Sequence, residues 1–311
     1  MANLKELSKV PERLAGGHRL CIGCGAGTLT RQTLLAAGNT PVVVTCATGC
    51  LEVSTSVYPY SSWKKDSFFH SAFENSAATM SGIEAAYVAL KKTGKIKEKI
   101  NFIAFGGDGG TYDIGLQSLS GAMERGHRML YICYNNEAYM NTGIQRSAAT
   151  PRGATTTTEP AGKVKPGKEQ HRKDMTEIMV AHNIPYVAQA VVGDWNDYVT
   201  KVQKALSIDG PTFINIMQPC PLGWGTKPED TLALGRLAVD TNIWPLYEVE
   251  NGVYKINKKP KEKKSVVEFL KPQARFKHLF NSNPKNAEII ESVQKITDAK
   301  WELLLKREGG K

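Results

Sequence analysis

The stretch from 100 to 136 limits this chain more than any other. It joins two short apolar runs through a glycine turn and an amphipathic segment, and it ends in paired asparagines. Ile100-Asn101-Phe102-Ile103-Ala104-Phe105-Gly106 reads as a buried strand running into Gly107-Asp108-Gly109. Ile114 to Arg128 has helical periodicity, with Ile114, Leu116, Leu119 and Met123 expected in the core. Met129 to Tyr134 is a second strand and delivers Asn135-Asn136, the latter 28 residues after Asp108. Such a strand–turn–helix–strand unit sets polar groups at the carboxyl ends of two strands, where open parallel sheets bind ligands.

The residue types suit a diphosphate held through magnesium. Glycine lets the backbone approach phosphate oxygens, the following helix offers free N–H groups, and a carboxylate with an amide oxygen ligates a hard cation. A glycine turn with a helix-capping aspartate is the plain alternative, and a bare Gly-Asp-Gly usually means no more than that. The complete spacing resembles the thiamine diphosphate motif. That resemblance implies Mg2+ ligation by Asp108, the Asn136 side chain and the Ala138 carbonyl, with Gly107 and Gly109 against the cofactor.

The cysteines form a second pattern: Cys21 and Cys24 as a CxxC, Cys46 and Cys50 four residues apart, and Cys220 far downstream. Cys133 falls inside an apolar strand and is expected to be a small buried hydrophobe. The segment before Cys21 is polar, without a hydrophobic targeting stretch, and no apolar run reaches transmembrane length, so a cytoplasmic, non-membrane location is expected. Thiols kept reduced there point to a metal or redox site rather than a disulfide framework. Spacing alone leaves zinc, iron–sulfur and a redox CxxC open.

Five ordered blocks then resemble one family: 17–25, 47–50, 72–75, 107–115 and 139–147. Together they are similar to the β subunits of 2-oxoacid:ferredoxin oxidoreductases, with the pyruvate-specific branch nearest. The resemblance runs from about 15 to 225 in register and extends to the basic segment Pro260 to Leu279. It implies one [4Fe–4S] cluster on Cys21, Cys24, Cys50 and Cys220, leaving Cys46 structural. It also implies that Thr48 and Gly49 line the thiamine site, so that one loop touches both cofactors. Asn141 and Thr142 would sit near the aminopyrimidine and substrate, Asn141 as the better catalytic contact. An Asn-Thr-Gly turn is otherwise a common surface feature.

The implied reaction is oxidative decarboxylation of pyruvate with coenzyme A to acetyl-CoA and CO2, reversible, with electrons passing to ferredoxin. Branched-chain 2-oxoacids such as 3-methyl-2-oxobutanoate, or another 2-oxoacid, are the near alternative. A non-catalytic metal-binding electron-transfer subunit is the alternative from another class. The resemblance places the activating glutamate on a partner subunit, so activity would require the α, γ and ferredoxin-like δ subunits or fused forms. Glu74 is expected on a helix surface or interface, His18 in packing or beside the cysteines, and His70 near the diphosphate or a neighbour.

Elsewhere, 28–37, 76–93, 176–182 and 195–208 read as helices, and 40–46, 186–190 and 211–217 as strands. The helix at 76–93 should bury Ala77, Met80, Ile83, Tyr87 and Leu90. This alternation predicts an α/β fold, a parallel sheet with helices on both faces; the resemblance implies that it is a thiamine diphosphate-binding fold preceded by an N-terminal cluster loop. Residues 1–240 would form the cofactor domain, and 241–311 a basic, mainly helical extension contacting partner subunits, with helices at 266–279 and 287–305. Thr150 to Lys173 lacks periodicity and reads as a lid, a subunit contact or a disordered loop. The formal charge of +10 is concentrated in 163–173 and 255–277. No aromatic-interleaved motif accompanies it, so a nucleic-acid partner is not expected; an acidic protein partner or a solvated lysine face is.

Overall fold

A computed structural model describes residues 2–57 and 60–310. Eight strands form one sheet: β1 (Val42–Ala47), β2 (Ser67–Ser71), β3 (Asn101–Gly107), β4 (Leu130–Asn135), β5 (Tyr186–Val191), β6 (Thr212–Met217), β7 (Leu246–Glu250) and β8 (Val253–Lys258). Their order is β2-β1-β3-β4-β6-β5-β7-β8. The first six are mutually parallel, and the last two are added antiparallel.

Alternation within the central strands explains why both faces are covered. Ile103 and Phe105 of β3, with Leu130, Ile132 and Tyr134 of β4, pack on one face, with the helices Gly25–Ala36 and Trp195–Ser207. Phe102, Ala104, Tyr131 and Cys133 face the other side, against Ser76–Lys92, Leu116–Glu124 and Met175–Val180. Strands buried on both faces cannot display a polar stripe, which is why β3 and β4 read as continuous apolar runs.

Two expected core positions are displaced. Ile114 is 52% exposed, because Gly109–Asp113 winds as a π-turn, with the Ile114 N–H donating to the Gly109 carbonyl at 3.2 Å. The extra residue in that turn advances the helix phase and turns Ile114 outward, while Leu119 and Met123 remain buried. Leu90 is 36% exposed, near the carboxyl end of its helix.

Beyond 240 the chain is less helical than expected. β7 and β8 form a hairpin across Asn251-Gly252, both in the left-handed region, and join the same sheet through β5. The helix expected at 266–279 stops at Leu270. Pro272 removes a donor and disfavours helix before it, so the chain resumes as a 3-10 segment, Ala274–Phe280. A final helix, Pro284–Glu308, closes the extension. Much of the basic run is neutralised within the chain: Lys259 pairs with Glu308 at 2.6 Å, Lys263 with Asp298 at 2.7 Å and Lys264 with Asp240 at 3.5 Å.

The segment from 150 to 173 has no helix or strand, and its two ends pack against the domain while 162–165 are exposed. Lys168 is 1% exposed and its ammonium donates to the Thr150 carbonyl at 2.5 Å. Arg172 reaches Glu137 beneath the asparagine pair. Among the described residues, no helix is long and apolar enough to cross a membrane.

Candidate functional site

Adjacent strands β3 and β4 end in step, with Gly107 paired to Tyr134, so Asp108 and Asn136 emerge side by side. Asp108 is almost wholly buried; its Oδ2 accepts from Ser147 Oγ at 2.5 Å and its Oδ1 from the Asn136 N–H at 3.3 Å. Burial pushes its carboxyl up to about 7, against the pull of those two hydrogen bonds.

The side chain of Asn136 turns its Oδ1 toward two other oxygens, Asp108 Oδ1 and the Ala138 carbonyl, each 2.9 Å away. Rotating the amide would convert both contacts to hydrogen bonds, with Gln218 Nε2 then donating at 3.2 Å. With its amide oxygen inward, Asn136 adds a third oxygen beside Asp108 Oδ1 and the Ala138 carbonyl, a donor set that suits a hard cation. Octahedral Mg2+ with bonds of about 2.1 Å sets neighbouring ligands about 3 Å apart, matching the separations found. Asp108, Asn136 and Ala138 could therefore hold magnesium.

Local backbone builds this turn. Glu137 lies in the left-handed region at φ 67° and is fully buried, its N–H donating to Asn135 Oδ1 at 3.0 Å. Its carboxylate is clamped by Arg172 at 2.6 Å and Arg275 at 2.5 Å. The next loop folds back, the Tyr139 N–H donating to the Gln145 carbonyl at 2.9 Å. Ile144 within it has φ 65°, costly for a β-branched residue by about 1–3 kcal/mol. This tight loop presents Asn141 and Thr142 at the rim of a cavity also lined by Thr48, Gly49, Phe73, Gly107, Asp108 and Gly109.

Two glycines shape that cavity by close approach. A Cβ on Gly109 would lie 2.3 Å from the Tyr139 ring, and one on Gly49 would lie 2.6 Å from the Tyr134 hydroxyl. Tyr134 Oη is buried and has no hydrogen-bond partner. Thr48 Oγ1 is 2.6 Å from His70 Nε2, so His70 is tied to the loop leading into the cavity. Phe73 lines the cavity, whereas Glu74 of the same block does not.

Cys50 begins the helix that follows Gly49, so the cysteine group starts at the cavity wall. Cys21 is exposed, and Cys24, Cys50 and Cys220 are half-buried, all as free thiols. Burial, then the nearness of Cys24, Cys220 and Cys21, pushes the Cys50 thiol up to about 12. Cys24 is pushed up to about 11 by burial, opposed by the Ala26 N–H, and further raised by Cys220 and Cys21. These four thiols, drawn from three separate loops, therefore lie within electrostatic reach of one another. Cys46 instead belongs to β1 and packs in the core, its Sγ against the Ala47 carbonyl at 3.5 Å, and Cys133 is buried in β4.

Among the described residues, no three His, Cys, Asp or Glu side chains stand close enough to hold one metal ion. A tetrahedral zinc with bonds of about 2.3 Å needs its thiolates within about 4 Å of one another. A four-iron cluster binds each thiolate to a different iron, so its ligands stand farther apart. Four thiols supply the four-thiolate donor set that a four-iron cluster takes.

Sequence reasoning passed over Ser147, Glu137, Arg172, Arg275 and Trp224. Ser147 closes a block singled out earlier, and Glu137 directly follows the asparagines. For Arg275, 138 residues from its partner Glu137, no local signal exists.

The chain matches the model for the C-terminal TPP binding domain of thiamine pyrophosphate enzymes over residues 46–216, more than half its length. It is 57% identical to pyruvate synthase subunit PorB of Methanocaldococcus jannaschii, over 94% of this chain and 96% of the relative. It is 46% identical to ketoisovalerate oxidoreductase subunit VorB of Pyrococcus abyssi, over 95% and 93%. The fold is shared with a 2-oxoglutarate:ferredoxin oxidoreductase from Magnetococcus marinus, at TM-score 0.58 and 19% identity, over 70% of this chain and 68% of that one. Motif, fold and full-length similarity agree: the chain belongs to the PorB family of 2-oxoacid:ferredoxin oxidoreductase β subunits, built around a thiamine pyrophosphate-binding domain.

Proposed function

We propose that this subunit catalyses, within a complex, the CoA-dependent oxidative decarboxylation of pyruvate to acetyl-CoA and CO2, delivering electrons through one [4Fe–4S] cluster to ferredoxin. The observation that carries this reading is the three-oxygen convergence at Asp108, Asn136 and Ala138, joined through Thr48-Gly49 to the four-thiol group. Thiamine diphosphate, when bound, supplies the nucleophilic carbon and the electron sink for a 2-oxoacid. Asp108, Asn136 and the Ala138 carbonyl would hold Mg2+ against its diphosphate, beside Gly107, Gly109 and Gly49 in the cavity lining. Thr48, Asn141 and Thr142 would orient the reacting end, with Asn141 as the contact to substrate. Cys21, Cys24, Cys50 and Cys220 would ligate the cluster, and the direct succession Gly49-Cys50 keeps the electron path short.

The α, γ and ferredoxin-like δ subunits, separate or fused, would complete the site, with 241–311 among the contact surfaces. Six free thiols suit a reducing cytoplasm. Similarity to a VorB subunit supports a second reading, the same chemistry on branched-chain 2-oxoacids. The non-catalytic alternative is disfavoured by the intact oxygen triad.

Anaerobic purification of the native complex, with iron, sulfide and thiamine assays, tests the reading. Pyruvate-dependent ferredoxin reduction with both cofactors present is expected. Preference for a branched-chain acid would change the substrate only, whereas zinc in place of iron and no thiamine would overturn it.

A further inference from the structure

We infer that Arg275 and Trp224 form a buried strut locking the Cys220 loop to the magnesium turn, and that the Arg275 charge raises the reduction potential of the bound cluster. The inference rests on the cluster and magnesium readings above.

Cys220 is the residue from which the short helix Pro221–Trp224 starts, so Trp224 is rigidly tied to that thiol. Trp224 is fully buried, and its indole Nε1 donates to the Asn136 carbonyl at 2.8 Å. Thus one side chain joins the last cysteine to an asparagine of the magnesium turn. Above the indole, the Arg275 guanidinium stacks with its Cζ 3.9 Å from the ring centroid, where a desolvated cation–π contact is strong.

Arg275 is itself 5% exposed and fully committed. Its Nη2 donates to Glu137 Oε2 at 2.5 Å and its Nε to Gln273 Oε1 at 2.9 Å. Glu137 sits between Asn136 and Ala138, and its carbonyl accepts from Thr150 Oγ1 at 2.6 Å. Thr150 Oγ1 accepts in turn from the Ser147 N–H at 3.0 Å, and Ser147 Oγ holds Asp108. The strut therefore reaches Asn136 through Trp224 and Asp108 through Glu137. The strut spans both parts of the chain: Trp224 lies within 1–240, Arg275 comes from the extension, and Ala274 before it packs against Gly225.

The charge bears on the cluster because Arg275 is stacked on Trp224, the last residue of the four-residue helix that starts from Cys220. A fixed cation favours the more negative, reduced state of a nearby cluster, and position and charge are the levers by which protein sets cluster potentials. Arg172 still faces Glu137 when Arg275 is replaced, so one counter-charge remains.

The test is a redox titration of the intact complex, with EPR and iron quantification, for Arg275→Lys and Arg275→Met. Both should keep four irons; the methionine variant should show a lower midpoint potential, and lysine should restore most of it. Magnesium-dependent thiamine diphosphate binding should weaken about 10–100-fold in Arg275→Met, the usual cost of removing a group that orients metal ligands. Unchanged potential and cofactor affinity with the cluster present would overturn the strut. A native complex without iron would instead remove the cluster reading. If Arg275→Met does not fold, Trp224→Phe keeps the packing and lacks the bond to Asn136. It should weaken cofactor binding with iron retained, and undiminished binding would likewise overturn the strut.

Discussion

The magnesium turn and the cysteine group stand side by side but are made in opposite ways. Asp108 and Asn136 come from one continuous strand–turn–helix–strand unit, and hydrogen bonds from Ser147 and the chain itself fix them before any ligand arrives. The cysteines come from three loops near 21, 50 and 220, and Cys21 is exposed. Both sites concentrate groups whose ionised forms burial opposes, Asp108 on one side and Cys24 and Cys50 on the other. Each therefore favours a cation, but one is a prepared socket and the other depends on loops brought into place by distant packing. Although Trp224 and Arg275 brace the two sites against each other, their ligands come from different parts of the chain and should be separable by mutation of those ligands.

The largest expected effect is at Asp108. Asp108→Ala removes the sole carboxylate of the oxygen triad and should abolish magnesium-dependent thiamine diphosphate binding in the complex, with iron content unchanged. Isothermal titration beside iron analysis would decide it; iron lost together with thiamine would show that the two sites are not independent.

Next in size is the choice between two cysteines. Cys50→Ser should remove the four-iron EPR signal, whereas Cys46→Ser should retain it, because Cys46 packs in the core among apolar side chains. Since Gly49 and Cys50 are shared neighbours of both sites, some loss of thiamine affinity in Cys50→Ser would sharpen the comparison. Loss of the cluster in Cys46→Ser but not in Cys50→Ser would reverse the assignment.

The smallest effect is a pH dependence confined to the magnesium turn. The Asp108 carboxyl sits at about 7 in the fold against 3.8 ordinarily. The unfolded chain thus loses this proton first, and Asp108 makes the metal-free fold progressively less stable as pH rises from about 4 to about 7. Mg2+ requires the ionised form, so thiamine diphosphate affinity should fall by up to about tenfold per pH unit below 7 and level off above it. Affinity flat across that range would detach Asp108 from the metal.

Legibility followed the same division. Residues 100–136 were readable because strand and helix periods, a glycine turn and the asparagine pair all lie within one short segment. Even there, nothing in the apolar spacing reveals the extra residue of the π-turn at Gly109–Asp113, which turns Ile114 outward where periodicity expects it inside. The β7–β8 hairpin was also missed, although Asn251-Gly252 between two alternating runs is a strong hairpin signal. The lysine density of this segment masks that signal, and many of those lysines pair within the chain.

What the sequence determined by itself was the parallel core, the Gly-Asp-Gly to Asn-Asn unit and the set of cysteines, because each depends on local spacing. Only the tertiary structure decided that Cys46 belongs to the core while Cys50 faces Cys24 and Cys220, that Lys168 and Arg172 reach under the magnesium turn, and that Arg275 reaches Glu137 and Trp224. A buried charge acquires its role from whatever surrounds it in space. No period along the chain records which distant side chains those will be.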